Sequence, residues 1–379
     1  MNIKITQIQN CTGCHACMSS CPHAAITMRE DKEGFLYPNI DENKCVACKL
    51  CENICPILHP GEPMQPLAVY AAKNNNVEER LKSASGGMFP LLAKKIIEDE
   101  GIVFGACFEP CWNVKHTYIQ KVDKIALLSG SKYLQSIIGE NYGKVEQFLK
   151  AGKKVLFSGT PCQIAGLKRF LKKEYHNLCT VDLVCHGVPS PKVWQQYLKE
   201  VVNQTDIKTI DFRDKRNGWR AFNVTASGKS GELFSEHHSK NSYMYGFLQN
   251  LYLRPSCHQC PVKQFKSGSD ITIGDFWGIQ NFYPDFNDDK GVSVVFINTQ
   301  KGVDLFKELD VTCIETDYEK AVSANIMVEE SVKSHPKRQL FFHLFNKKEK
   351  TVTQLVEKLL HKSFITKVKG TLKRILKMY

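Results

Sequence analysis

No stretch of this 379-residue chain approaches the roughly 18 consecutive apolar residues that a membrane span needs. Met1 to Asn10 also lacks a basic segment followed by an apolar one, so neither export nor membrane spanning is expected. Glycine (24) and proline (15) are too sparse for a fibrous repeat. An apolar share of 42% against 24% charged residues excludes disorder. The expectation is a soluble globular chain of one large or two to three ordinary domains, at about 100 to 200 residues each. Against these absences stand sixteen cysteines. Without an export signal they point to a reducing compartment, the cytoplasm, where spaced thiols ligate metals rather than form disulfides.

The formal net charge of +12 would suit a nucleic-acid binder if it were spread over the chain. It is not. Ten Lys or Arg against Glu349 and Glu357 give residues 347–379 a charge of +8, leaving +4 for the first 346 residues. No aromatic–basic strand pattern accompanies the charge, so no nucleic-acid partner is expected.

Cys11, Cys14, Cys17 and Cys21 recur as Cys45, Cys48, Cys51 and Cys55 at a constant offset of 34 residues, and each set ends in proline, Pro22 and Pro56. Cys-x2-Cys-x2-Cys-x3-Cys-Pro, present twice, is the arrangement of a bacterial-type two-cluster ferredoxin. Three closely spaced thiolates grip one iron–sulfur cube, and the fourth, past the proline turn, reaches the other. Cys11, Cys14, Cys17 and Cys55 are therefore assigned to one [4Fe–4S] cluster, and Cys21, Cys45, Cys48 and Cys51 to a second. Structural zinc, which takes four ligands in all, does not call for eight. Between the quartets, Ile26 to Asp41 reads as a short hairpin around Lys32-Glu33-Gly34.

Pro56 to Pro66 is proline-rich and reads as a stiff linker. A strand is expected from Leu67 to Ala72, a helix from Phe89 to Glu98 and a strand from Gly101 to Phe108. Ahead of that helix, Ser83-Ala84-Ser85-Gly86-Gly87 either leaves backbone N–H groups free for a phosphate or a flavin edge, or is an ordinary tight turn. Two β–loop–α units follow. In the first, Lys153 to Phe157 leads through Ser158 to Gln163 into a helix capped by Thr160, with Pro161 at its first position. In the second, Cys179 to Val184 leads through Cys185 to Ser190 into a helix starting at Pro191. If the strands are parallel neighbours, Cys162 and Cys185 stand at their carboxyl ends, where open α/β sheets bind ligands. With Cys257 and Cys260 on a proline-bounded loop, they make four ligands for a third [4Fe–4S] cluster. Cys257-x2-Cys260 alone could equally be half a zinc site or a redox dithiol. Asp275-Phe276-Trp277-Gly278 offers either a surface for a planar ring or a packed corner. Cys179 and Cys313 read as small buried hydrophobes, and His116, His186 and His258 as hydrogen-bonding partners.

Taken in order, Ser83 to Gly87, Gly105 to His116, Gly130 to Ser136, Ser158 to Gln163, Asp182 to Pro191, Arg254 to Cys260 and Ser269 to Gly278 resemble the beta subunits of coenzyme F-420 hydrogenases and dehydrogenases, from about Leu67 to Phe345. The resemblance implies a flavoprotein, with FAD or FMN, carrying an iron–sulfur cluster in its body, and strengthens the third-cluster assignment. It also implies that Ser83, Ser85, Gly86 and Gly87, with Lys132 and Tyr133, surround the flavin, Asp275 joining them as a group that orients the ring.

The expected fold class is α+β: a ferredoxin-type domain over residues 1–60, then an α/β flavin- and Fe–S-binding body. The body's first part spans 61–150 and its second part, with the third cluster, 151–345; a basic amphipathic tail covers 346–379. The expected function is an oxidoreductase that passes electrons between [4Fe–4S] clusters and a hydride-exchanging organic substrate through a flavin. Relatives of this type in bacteria suggest surface-polysaccharide or sugar metabolism. The alternative is an electron-transfer subunit relaying to a separate redox partner protein. No catalytic triad or general acid is expected. In the tail, Val352, Leu355, Val356, Leu359, Leu360 and Phe364 form an apolar helical stripe among lysines. It is either a contact with the inner membrane face or a terminal helix docked on its own domain.

Overall fold

The computed structural model describes residues 8–360. In the ferredoxin-type domain, strands β1 (Ile26–Glu30) and β2 (Leu36–Ile40) pair antiparallel, Ile26 opposite Ile40 and Glu30 opposite Leu36. This is the hairpin read between the two quartets. Asp31 Oδ1 accepts from the Glu33 and Phe35 amides at 2.9 Å and Gly34 takes φ +90, a conformation glycine adopts without steric cost.

The body supplies β3 (Ala68–Asn74), β4 (Ile102–Phe108), β5 (Val114–Ile119), β6 (Val155–Gly159) and β7 (Leu178–Leu183). A small sheet of β8 (Ile207–Asp214), β9 (Asn223–Gly228) and β10 (Gly231–His237) follows, then β11 (Ile271–Asp275), β12 (Ser293–Ile297) and β13 (Val311–Glu315). The eight-stranded sheet has the order β13-β3-β12-β11-β7-β6-β4-β5. Only its centre is parallel, β11 to β7 to β6 to β4, while both flanks are antiparallel. The body is thus a mixed sheet rather than a purely parallel one, because β4 returns through a short turn as β5, and β11 returns as β12 through a connection with only two 3-10 turns and no crossover α-helix. Val155, Leu156, Phe157 and Val181 on β6 and β7 are fully buried, as central strands covered on both faces must be.

The ferredoxin-type domain shares its core with the body. Cys14, Ala16 and Ile54 pack with Tyr142, Ile164 and Leu167, and Phe35 and Tyr37 with Trp194 and Tyr243. The proline-rich stretch read as a linker runs along the body's surface. Met64 N donates to the Gln264 carbonyl at 3.1 Å, and a Cβ on Gly61 would stand 2.3 Å from the Lys266 carbonyl oxygen.

The helix Val352–Leu360 buries Val352, Leu355, Val356 and Leu359 in the core beside Trp194 and Phe247, and Val352 N donates to Glu200 Oε2 at 2.7 Å. Up to Leu360 the apolar stripe that a membrane contact would use is covered by the protein itself; the rest of the tail, from His361 on, lies outside the described residues. Among the described residues no helix is long and apolar enough to cross a membrane. Cys313 corrects a reading: it is exposed, because β13 is the sheet's edge strand, whereas Cys179 on the inner strand β7 is buried.

Candidate functional site

Twelve of the sixteen cysteines line three small cavities. Cys11, Cys14, Cys17 and Cys55 line one of about 20 Å³. Cys21, Cys45, Cys48 and Cys51 line a second of about 20 Å³. The inner quartet is buried or half-buried, while Cys48 of the outer one is exposed beside Val46. The short helices Ala16–Ser20 and Leu50–Asn53 start after His15 and Lys49, both left-handed, at φ 65 and 58. The two halves of the repeat therefore turn alike and present their thiols in the same way.

Cys162, Cys185, Cys257 and Cys260 line the third cavity, of about 60 Å³. β6 and β7 are parallel neighbours, Gly159 opposite Asp182, and this brings the loops carrying Cys162 and Cys185 together. Thr160 caps the helix Pro161–Leu171, its N–H donating to Gln163 Oε1 at 3.0 Å, so Cys162 sits in the first turn. Cys257 comes from the segment Pro255–Gln259 and approaches Gly187, accepting from Val188 N at 3.4 Å. Lys263 donates to the Cys185 carbonyl at 2.8 Å. Burial, and then repulsion from Cys260 and Cys185, pushes the Cys162 thiol up, and burial followed by Cys185 does the same to Cys257. Burial raises Cys185 to about 11, with Lys263 opposing. Buried, mutually repelling thiols become thiolates against a cationic metal centre. Zinc at about 2.3 Å from each sulfur would draw four thiols onto one point. Among the described residues no three Cys, His, Asp or Glu side chains stand together as a metal-ion site, and each quartet lines a cavity of its own.

Beside the third cavity lies a large one of about 520 Å³, inside the range of about 300 to 1,000 Å³ usual for cofactor sites. The two share the wall Cys185 to Val188 together with Ser136, Thr160 and Gln163. Of the residues expected around a flavin, Ser83, Ser85, Gly87, Lys132, Tyr133 and Asp275 line this cavity. Gly86 does not. It packs against the sheet, its N–H donating to Ser293 Oγ at 2.9 Å, and a Cβ would stand 2.4 Å from the Ala72 carbonyl oxygen. Gly87, at φ +82, precedes the helix Met88–Glu98 and offers no side-chain cap to the first-turn amides, among which Pro90 at the third position has no N–H. Lys132 donates to the Ser129 and Gly130 carbonyls, and burial lowers it to about 8.

Sequence reasoning missed the groups that hold this cavity's shape. Arg213 on β8, 3% exposed, donates to Asp275 Oδ1 at 3.0 Å and the Ala84 carbonyl at 3.2 Å, and lies 4.1 Å over the Phe222 ring. Trp219 Nε1 donates to the same Asp275 oxygen at 2.8 Å and stacks parallel on Trp277 at 5.0 Å. Lys215 donates to the carbonyls of Arg80, Ser85 and Lys290, fixing the serine–glycine turn from behind. The signal was the run Asp211-Phe212-Arg213-Asp214-Lys215, charge alternating with an aromatic along a strand. His116 is buried against Ser136 Oγ and the Ser158 carbonyl, and burial lowers it to about 4. His186 bonds Asn250 and His258 the Val332 carbonyl, so all three histidines read as partners do pair.

A hairpin domain with paired thiol quartets, fused to a mixed-sheet body with a further thiol quartet and a cofactor-sized cavity, defines the class of ferredoxin-headed redox chains. Residues 10–57 match the 4Fe-4S dicluster domain, and residues 152–321 match the C terminus of the coenzyme F420 hydrogenase/dehydrogenase beta subunit. Residues 152–321 thus carry the C-terminal domain of that beta-subunit family, with a dicluster domain ahead of it. It is 24% identical over 250 residues to the coenzyme F420-dependent sulfite reductase of Methanocaldococcus jannaschii, across 59% of this chain but 38% of that protein. It is 22% identical over 324 residues to a subunit of the F(420)H(2) dehydrogenase of Methanosarcina mazei, across 80% of this chain and 83% of that one. A solved structure of the F420-reducing [NiFe] hydrogenase complex from Methanosarcina barkeri aligns over 78% of this chain and 93% of its own, at 16% identity and a TM-score of 0.47. None of these three is a sugar-modifying protein by name, so that part of the expectation has no support here.

Proposed function

We propose that this chain is an iron–sulfur flavoprotein oxidoreductase subunit that exchanges single electrons through three [4Fe–4S] clusters and electron pairs with a hydride carrier. The observation that carries the proposal is an unbroken file of cavities. The inner ferredoxin cavity and the body's cysteine cavity are both lined by Thr12, and the cysteine cavity shares its far wall with the 520 Å³ cavity. Gly166 completes the contact, since a Cβ there would stand 3.2 Å from Cys14 Sγ. Gly166 follows Cys162 by four residues, one turn along the same helix face.

In this reading Cys11, Cys14, Cys17 and Cys55 hold the inner cluster, Cys21, Cys45, Cys48 and Cys51 the outer, and Cys162, Cys185, Cys257 and Cys260 the third. When bound in the large cavity, a flavin supplies the coupling of one-electron to two-electron chemistry. The chain's own residues bind and orient. Ser85 and Gly87 line the cavity beside the N-terminus of the helix Met88–Glu98, a setting that favours an anionic group, while Ser83 lines it with its own amide taken by the Arg80 carbonyl. Arg213 and Trp219 hold Asp275, and Trp277, stacked on the buried Trp219, lines the cavity. His116, neutral above pH of about 4, keeps a fixed pair of hydrogen bonds next to the shared wall. Coenzyme F420, the carrier named for the relatives, is the hydride carrier this reading tests first.

A relay to a separate partner protein uses the same wiring, and the exposure of Cys48 and Val46 at the outer quartet favours an electron exit there. The experiment is anaerobic purification with iron, sulfide and flavin quantitation, then reduction of F420 or of NAD(P) by the reduced protein. About twelve irons and one flavin per chain are expected. Colourless protein, or an iron content that stays near eight with no flavin, overturns the reading.

A further inference from the structure

A fully buried arginine lies between the inner thiol quartet and the body's cysteine cavity. Arg254 is 0% exposed. Its Nε donates to the Cys11 carbonyl at 2.7 Å, its Nη1 to Gln135 Oε1 at 2.8 Å and its Nη2 to the Leu36 carbonyl at 2.9 Å. The guanidinium lies 4.3 Å over the Tyr37 ring. Three residues further along the chain stands Cys257. Gly13, at φ +66, is a glycine for this arginine's sake as well as the turn's, since a Cβ would stand 2.8 Å from Arg254 Nη1.

Every one of these partners is neutral. Tyr37 stays protonated because burial raises its hydroxyl to about 12, and among the described residues no carboxylate pairs with Arg254. An arginine cannot shed its proton, and a buried charge without a counter-charge is strongly disfavoured. Four thiolates around an iron–sulfur cube carry a net negative charge, which grows when the cube takes up an electron. The cluster beside Cys11 is then the missing counter-ion.

We propose that Arg254 is a positioning residue for electron transfer, holding the inner cluster at a higher reduction potential than the outer one. It thereby makes the inner cluster the preferred electron seat at the junction with the body. The exchange is one electron, with no bond made or broken. A fixed cation favours the more negative, reduced state, and at an effective dielectric constant of about 20 the preference exceeds tenfold for any separation up to about 10 Å. The outer quartet, none of whose cysteines is among the hydrogen-bond or ring contacts of Arg254, feels it less. The inference rests on the reading that Cys11, Cys14, Cys17 and Cys55 hold a cluster.

The test is an EPR-monitored redox titration of the anaerobically prepared full chain, with the outer cluster as internal reference. Arg254→Gln removes the charge and Arg254→Lys keeps it. Should the Gln variant fail to retain its inner cluster, Arg254→citrulline, introduced by codon suppression, removes the charge while keeping the planar shape. In the neutral variants the constant for electron sharing between outer and inner clusters should move at least about tenfold toward the outer, about 59 mV for a one-electron couple. The Lys variant should stay within about threefold of the parent. Neutral variants within that same margin, or a Lys variant displaced as far as the neutral one, would overturn the role of Arg254. Absence of an inner-cluster signal in the parent protein would instead sink the cluster reading itself.

Discussion

The pair Arg213–Asp275 is the most informative place to perturb the large cavity, because it joins the small sheet to the end of β11. Arg213 is 3% exposed and Asp275 17%, with 3.0 Å between them. At an effective dielectric constant of about 20, charges about 4 Å apart interact by about 4 kcal/mol, and removing one member of a buried pair costs about 3 to 5 kcal/mol. Arg213→Met keeps an apolar stem of similar length but removes the guanidinium from over Phe222 and, with it, the donors to Asp275, the Ala84 carbonyl and the Tyr133 hydroxyl. Asp275 keeps only its 2.8 Å bond from Trp219 Nε1, so the cost should fall near the middle of that range. Asp275→Asn leaves the guanidinium buried without a counter-charge and should cost a similar amount. The double variant should recover much of the loss, giving a coupling energy of about 2 kcal/mol or more. Anaerobic urea unfolding of parent, singles and double, followed by tryptophan emission, measures the cycle, with flavin content read in parallel. Single-variant losses below about 1 kcal/mol with coupling below about 0.5 kcal/mol would show that the pair is screened by solvent and does not shape the cavity.

Gly86→Ala places a methyl against two backbone atoms, the Ala72 carbonyl oxygen at 2.4 Å and Ser293 N at 2.6 Å; a loss of about 2 kcal/mol or more and lower flavin content should appear in the same assay. Gly166→Val should push Cys14 away from the helix that carries Cys162, slowing electron passage from the dithionite-reduced ferredoxin-type clusters to the flavin in stopped flow while iron content holds. Cys257→Ser should lower iron by roughly four atoms per chain and leave the roughly eight of the ferredoxin-type domain. His116 sets an acid limit. Its folded-state value of about 4 lies below the unfolded 6.5, so between those pH values the unfolded chain binds more protons and stability falls on acidification. The loss reaches about 3 kcal/mol by pH 4, and His116→Gln should flatten that slope in unfolding curves taken from pH 7 to 4. Leu355→Ala, at a fully buried position of the last described helix, should cost about 2 to 5 kcal/mol, as a docked helix requires and a free tail would not.

The local code was the legible part. Thiol spacing within each quartet, the Thr160-Pro161 and Ser190-Pro191 helix starts, the turn at Gly34 and the strands β4, β6 and β7 depend on neighbours within a few residues, so they could be read from order alone. The dicluster domain and the family of the body could be named on the same footing. Proximity across the chain was another matter. Arg213 meets Ala84 from 129 residues away and Arg254 meets Cys11 from 243 away, and neither contact carries a spacing rule because its acceptor is a backbone carbonyl, which every residue has. The proline-rich stretch and the terminal amphipathic helix were ambiguous for a related reason. Composition shows that a segment is stiff or has an apolar face, but only packing shows what covers it. Chain order thus determined which atoms can ligate and in what groups. The tertiary structure decided that the inner thiol-lined cavity, the body's cysteine-lined cavity and the cofactor-sized one stand in file, because parallel pairing of β6 with β7 and burial of the ferredoxin-type domain's face are free-energy balances over the whole fold.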